Sequence, residues 1–82
     1  MTDTLTHGQA MDAVEAAFTA KATNTHGVVN FSERAHNTFY AARMLTGYTG
    51  GSYPEAVAAL AREFTTAEAI DALPGRALRA RA

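Results

Sequence analysis

Three histidines are the residues of this sequence best suited to bind a metal ion, but their spacing does not favour a metal site. His7, His26 and His36 are far apart, and no two have the i, i+3 or i, i+4 spacing that places two ligands on one face of a helix. Catalytic zinc sites usually include such a close-spaced pair. The sequence also has no cysteine that could provide a thiolate ligand. We therefore expect no metal ion and no other cofactor.

The serines and a glycine-rich segment are the next candidates for chemistry, and neither has the context that catalysis needs. Neither Ser32 nor Ser52 lies in the Gly-x-Ser-x-Gly turn that exposes a nucleophile. The segment 47–52, GYTGGS, precedes a predicted helix, whose N-terminus would attract an anion. A Walker phosphate loop, however, requires a lysine before the Ser or Thr and a strand before the loop. We interpret this segment as a flexible turn between helices and predict that the protein is not an enzyme.

The elements that must position any site are predicted to be helices, each beginning at a capping residue followed three positions later by Glu or Gln. The four pairs are Thr6 with Gln9, Asn30 with Glu33, Ser52 with Glu55, and Thr65 with Glu68. Such pairs form capping boxes, and helical periodicity follows each one. The sequence therefore predicts a single all-α domain over 1–82. It is a small bundle of three main helices (7–22, 31–46 and 53–64), a short fourth helix (66–73) and a basic C-terminal tail.

The composition indicates a folded domain with a thin core. Leu, Ile, Val and Phe make up only 14 of 82 residues, while alanine is abundant and the net charge is −1. Alanine is the best helix former, and a low net charge does not favour disorder. A core this small barely offsets the entropy of ordering the chain, so we expect self-association or a permanent partner to add stability. The sequence has no long apolar run and no signal-peptide pattern, which predicts a cytoplasmic protein without a membrane contact.

Three of the predicted helices have ordinary apolar stripes, which we expect to form the core. The stripes contain Met11, Val14 and Phe18 in the first helix, Val57, Leu60, Ala61 and Phe64 in the third, and Ala69, Ile70 and Leu73 in the fourth. The segment 27–29, GVV, is predicted to be an apolar loop that tucks under the helices.

The second predicted helix carries the most distinctive surface. Its apolar stripe is predicted to contain Phe31, Ala35, Phe39, Ala42 and Leu45. Glu33 is predicted to lie on its other side. The same side is predicted to carry His36, Asn37, Tyr40, Arg43 and Met44. The i, i+3 and i+4 spacings within this set stack the side chains on one face, and aromatic, Arg and Met residues are enriched at interfaces. We predict that these five residues bind a partner. The alternative is that Tyr40 packs on a neighbouring helix and the others form an ordinary solvated face.

Nucleic-acid binding is the alternative function. The segment 57–73 has the outline of a helix-turn-helix unit, and Arg76, Arg79 and Arg81 follow it in the tail. The second helix of that unit would present Glu68 and Asp71 to the DNA, which opposes the phosphate neutralisation on which DNA binding depends. The acidic helix makes this alternative the weaker one.

The sequence thus favours a small non-enzymatic protein–protein interaction module. Its expected partner is another protein or a second copy of the chain. Small helical chains without catalytic residues often act as inhibitors or adaptors of larger assemblies, and inhibitors of host defence carried by phages and plasmids are one such group. No single residue specifies which partner is bound.

Overall fold

A computed structural model describes residues 3–74 of the 82-residue chain. Within that range the chain forms four helices, which are α1 (His7–Lys21), α2 (Phe31–Thr46), α3 (Tyr53–Glu63) and α4 (Ala67–Asp71). The predicted all-α architecture of three main helices and a short fourth is confirmed. The predicted basic tail lies outside the described residues. In residues 3–74, no helix has the length and apolar character that crossing a bilayer requires.

The helices begin where the capping pairs predict, with one exception. At α1 the capping box is complete, because the Thr6 hydroxyl accepts from the Gln9 N–H at 3.1 Å and the Gln9 side chain accepts from the Thr6 N–H at 2.9 Å. The Asn30 side chain accepts from the Glu33 N–H at 3.0 Å at the start of α2. Ser52 caps α3 in the same way, although its bond to the Glu55 N–H is longer.

The exception is α4, where the predicted capping residue Thr65 is wrong. Thr66 is the N-cap, and its hydroxyl accepts from the Ala69 N–H at 3.2 Å. The carbonyl of Thr65 instead accepts from the N–H of Leu5 at 2.8 Å. The backbone at residue 65 is therefore committed to holding the segment before α1, and the helix begins one residue later than the sequence pattern suggested.

The core is formed mainly where α3 packs against α1 and α2, with α4 packed on α1. The predicted stripes of α1 and α3 supply most of its large side chains. The largest fully buried residues are Phe18, Leu60, Ile70, Val14, Val57 and Thr38. Met11 and Phe64 are partly buried and pack against this cluster. Burial of these apolar groups is the main stabilising contribution, at about 1.5–3 kcal/mol for each fully buried large side chain.

The predicted apolar stripe of α2 is largely wrong. Of its five residues only Ala42 is buried, while Phe31 is 61% exposed and Leu45 is 43% exposed. The residues that α2 buries are Asn37, Thr38, Ala41 and Ala42. On a helical wheel at 100° per residue, the buried side is rotated by roughly 70° from the predicted one. The physical reason is that small side chains let α2 lie close to its neighbours, which large aromatic side chains would prevent.

The segment 22–30 forms a small hairpin, and the prediction that residues 27–29 tuck under the helices is wrong. Thr23 and Val29 form an antiparallel bridge. The side-chain oxygen of Asn24 accepts from the N–H groups of His26 and Val28, at 2.8 and 3.0 Å. Gly27 completes the turn at a φ of 82°, which a residue with a Cβ adopts at a cost. This turn directs Val28 into solvent.

Candidate partner-binding groove

An open groove lies between α2 and the segment 47–52. Phe39, at its base, is partly buried and also packs against the core cluster. Its volume is about 320 Å³. The residues that line it are His36, Phe39, Tyr40, Arg43, Gly50 and Gly51. We call this surface the α2 groove. A groove of this size is at the lower limit for small-molecule sites, and it is too open to bury most of a ligand.

Three of the five residues predicted to bind a partner line the α2 groove together. His36, Tyr40 and Arg43 succeed one another at i, i+4 and i+7, so they follow one face of α2 over two turns. The side chains of His36 and Arg43 are exposed, and that of Tyr40 is partly buried. Met44 is 59% exposed but does not line the groove.

The prediction that Asn37 lies on the partner-binding face is wrong. This residue is only 4% exposed and belongs to the side of α2 that packs against the core. Its buried side chain is therefore not available on the partner-binding face. The error has the same origin as the misplaced apolar stripe, because the helix is rotated so that Asn37 and Thr38 face inwards.

The segment 47–52 is more ordered than the flexible turn that the sequence predicted. Gly47 ends α2 in the left-handed conformation, at a φ of 78°. The Tyr48 hydroxyl then accepts from the Ser52 N–H at 3.0 Å, and it lies 3.2 Å from the Ser52 carbonyl and 3.1 Å from Oε1 of Glu55. These bonds tie both ends of the segment together beside the groove.

Gly50 is required by the position of Tyr48. A Cβ at residue 50 would lie 2.7 Å from Cζ of the Tyr48 ring, which is closer than real Cβ contacts occur. A Cβ at Gly51, by contrast, would meet no atom within 4 Å. The two glycines thus form a wall without side chains. At Gly50 a Cβ would clash with Tyr48, whereas at Gly51 there is room for one.

The start of α3 is not arranged as an anion site. The Ser52 hydroxyl accepts from the Glu55 N–H, which occupies one of the free amides at this helix N-terminus. The Glu55 carboxylate lies in the first turn, where its charge already interacts favourably with the helix dipole and would repel a phosphate. The segment 47–52 therefore lacks the electrostatics of a phosphate loop.

An aromatic–arginine ladder supports one side of the groove. The Arg34 guanidinium carbon lies 5.0 Å from the centre of the Phe31 ring and 4.8 Å from the centre of the Tyr53 ring. The Tyr53 ring in turn meets the Phe39 ring edge to face, with 6.3 Å between the ring centres. This ladder fixes the orientation of Phe39, which lines the groove, through contacts that join α2 to α3.

Sequence reasoning missed the two glycines and the ladder. The i, i+3 spacing of Phe31 and Arg34 was the one local signal of the ladder, because it places the two side chains on one face of a helix. The contact of Arg34 with Tyr53 joins residues from different helices, and no local pattern predicts it.

A second, larger hollow lies beside the 22–30 hairpin. Its volume is about 660 Å³, and its lining runs along residues 21–24 and 28–33. Phe31 is the only aromatic residue in that lining, and most of the other groups are small or polar. The hollow contains one cation, Lys21, but also the carboxylate Glu33, whereas the described lining of the α2 groove has two aromatic rings and no carboxylate.

Two other kinds of site were considered from the sequence, a metal site and a nucleic-acid site. In the described part of the chain, no three histidines or carboxylates lie close enough to hold a metal ion. The helix-turn-helix packing predicted for 57–73 is absent, since α4 has five residues and packs on α1 rather than on α3 within residues 3–74. The predicted nucleic-acid-binding residues Arg76, Arg79 and Arg81 lie outside the described range.

Comparison with known proteins identifies no relative of this chain. No family model, no curated protein and no solved structure matches it. The groove and the ladder therefore have to be interpreted from their own geometry and chemistry.

Proposed function

We propose that this protein is a small non-enzymatic interaction module that binds another protein through the α2 groove. The observation that carries the proposal is that two aromatic rings and an arginine converge on an open groove with a glycine wall. Tyrosine and arginine are enriched at interface hot spots, and anchors of this kind seat in pockets that exclude water. In the cell the module would act as an inhibitor or adaptor of a larger assembly in the cytoplasm.

The packing of α2 supports partner binding by this helix. The helix buries small and polar residues and leaves Phe31, Met44 and Leu45 exposed. Exposed apolar side chains add to the stability of a small chain only when something covers them. None of these three lines the α2 groove, so they indicate a covered helix surface beside it. A helix whose larger side chains face outwards is better explained by partner binding than by the needs of the core.

The groove also supports a protein partner over a small substrate. An enzyme site usually encloses its ligand and contains groups that can exchange a proton or attack a bond. The α2 groove is open. His36 could exchange a proton, but the described lining residues include no carboxylate, serine or cysteine that could act with it. The aromatic and cationic side chains of the groove suit binding of a protein surface better than catalysis.

Gly51 provides the sharpest test. Because a Cβ there meets no atom, and because its φ is not positive, Gly51→Trp should fill the groove without straining the fold. Gly8→Trp is the matched control, since a Cβ at Gly8 is equally unobstructed but lies on α1. Quantitative mass spectrometry of proteins captured from the native host by the three forms should identify a partner that Gly51→Trp loses and Gly8→Trp retains.

Alanine substitutions then measure the contribution of individual residues. With the captured partner purified, Tyr40→Ala and Arg43→Ala should each weaken binding by about 1–3 kcal/mol, as truncation of hot-spot residues does. Light scattering of the free protein establishes separately whether that partner is a second copy of the chain. If both alanine variants are folded and bind the partner as the unmodified protein does, the α2 groove is not the interface.

A further inference from the structure

We propose that the partner segment bound in the α2 groove is an extended acidic peptide, with an apolar side chain and a carboxylate two positions apart. This inference rests on the proposed function and specifies the chemistry of the partner. It depends on three properties of the groove, which are its charge, the spacing of its side chains along α2 and its glycine wall.

The charge of the groove favours a carboxylate. Arg43 supplies a cation, His36 adds a ring N–H donor, and the described lining residues include no carboxylate. Glu55 and Glu33 lie on the flanking elements and keep their charge, but neither lines the groove. Glu55 accepts from the Tyr48 hydroxyl, and Glu33 lines the hollow beside the hairpin. A guanidinium binds a carboxylate through two parallel hydrogen bonds, which gives both strength and orientation.

The spacing along α2 determines the pattern of the peptide. Phe39 and Tyr40 lie three to four residues before Arg43, which corresponds to about 4.5–6 Å along the helix axis. Residues i and i+2 of an extended chain lie on the same side and are about 6.6 Å apart. A bound peptide whose apolar side chain contacts the two rings can therefore reach Arg43 with the side chain two positions away. A carboxylate at that second position would pair with Arg43.

The glycine wall favours an extended backbone. Without side chains at Gly50 and Gly51, a peptide main chain can approach the wall closely, as happens where glycines line binding sites. The opposite wall is the helical face that carries the aromatic rings. A slot with one bare wall and one wall of side chains suits a single extended strand better than a helix, which is about 10–12 Å wide.

A selection from a random peptide library displayed on phage tests this inference with the full-length chain. We expect enrichment of peptides in which Asp or Glu stands two positions from a large apolar residue. Binding of a selected peptide, followed by fluorescence anisotropy, should fall about tenfold or more for Arg43→Glu and Arg43→Gln. Arg62→Glu should bind normally, because Arg62 is exposed on α3 and does not line the groove.

The outcomes distinguish this inference from the proposed function. Peptides that Gly51→Trp blocks but that show no acidic preference, or that bind Arg43→Glu equally well, would overturn the acidic-peptide inference and leave the groove as an interface. Peptides unaffected by both Gly51→Trp and Tyr40→Ala would overturn both proposals. Displacement of a selected peptide by oligothymidylate would instead identify the groove as a nucleic-acid site.

Discussion

The helices α1 and α2 have nearly the same length, but beside their buried alanines α1 buries large apolar side chains and α2 buries polar ones. α1 buries Val14 and Phe18 together with two alanines. α2 buries Asn37, Thr38 and two alanines, and it leaves Phe31 in solvent. The polar group of Thr38 is satisfied locally, since its hydroxyl donates to the Arg34 carbonyl one turn earlier at 2.7 Å. The buried hydroxyl of Thr38 is therefore paired.

This difference shows that the hydrophobic content of a helix does not decide which of its sides is buried. In α1 the largest apolar residues and the closest neighbours are on the same side. In α2 close packing against α3 selects the small residues. Phe31 is left exposed in the ladder, while Phe39 and Tyr40 are partly buried and line the α2 groove. The large side chains of α1 contribute to stability, whereas those of α2 are left accessible to a binding partner.

The largest expected effect is on the free energy of unfolding, and it is seen by comparing one phenylalanine from α1 with one from α2. Phe18→Ala should lower the free energy of unfolding by about 3–5 kcal/mol, because Phe18 is fully buried. Phe31→Ala should cost no more than about 1 kcal/mol, the contribution of an exposed cation–π contact with Arg34. Urea denaturation followed by circular dichroism measures both values.

A core this small supplies only about 3–5 kcal/mol in total, so Phe18→Ala could leave no folded protein. Phe18→Leu then provides a graded measurement, with a smaller loss that still exceeds that of Phe31→Ala. Equal losses for the Phe18 and Phe31 variants would contradict the contrast between the two helices.

Overpacking should show that α2 needs small residues at its buried side. Ala42 is fully buried, so Ala42→Leu should destabilise the fold by about 1–3 kcal/mol. Met44→Leu is the control on the exposed side, and we expect a change within about 0.5 kcal/mol. An Ala42→Leu variant as stable as the control would mean that the packing of α2 has room to spare.

The smallest effect concerns the two glycines of the groove wall. Gly50→Ala should cost about 1–2 kcal/mol, because the new methyl group displaces Tyr48 and weakens the hydrogen bonds of its hydroxyl. Gly51→Ala should be neutral or slightly stabilising, since it only restricts the unfolded chain. Thermal melts of the two variants make the comparison, and similar losses for both would show that Tyr48 does not require Gly50.

Local signals in the sequence predicted much of the fold. The start of α1 was predictable because Thr6 and Gln9 satisfy each other's backbone groups, which involves no distant residue. The buried side of α1 was predictable because Val14 and Phe18 are both apolar and one turn apart. The buried side of α2 was not, because both of its sides carry apolar residues and only contact with α3 chooses between them.

The candidate site was predictable to the extent that it lies on one helix. The spacing of His36, Tyr40 and Arg43 is a property of α2 alone, and the structure brings all three to one groove. The wall opposite them comes from a loop whose position depends on the Tyr48 hydroxyl. No periodicity in the sequence encodes that contact, so Gly50 and Gly51 looked like a linker.

The aromatic–arginine ladder has a consequence for the conditions that the fold tolerates. Arg34 belongs to α2, its guanidinium donates to the Thr19 hydroxyl of α1 at 3.1 Å, and it stacks on Tyr53 of α3. One cation thus joins three helices through a hydroxyl and aromatic faces, none of which is a counter-ion that acid could neutralise. Contacts with uncharged groups lose nothing when carboxylates become protonated, and a partly buried contact is screened little by salt. This junction should therefore persist in acidic and high-salt solutions that dissociate ordinary surface ion pairs.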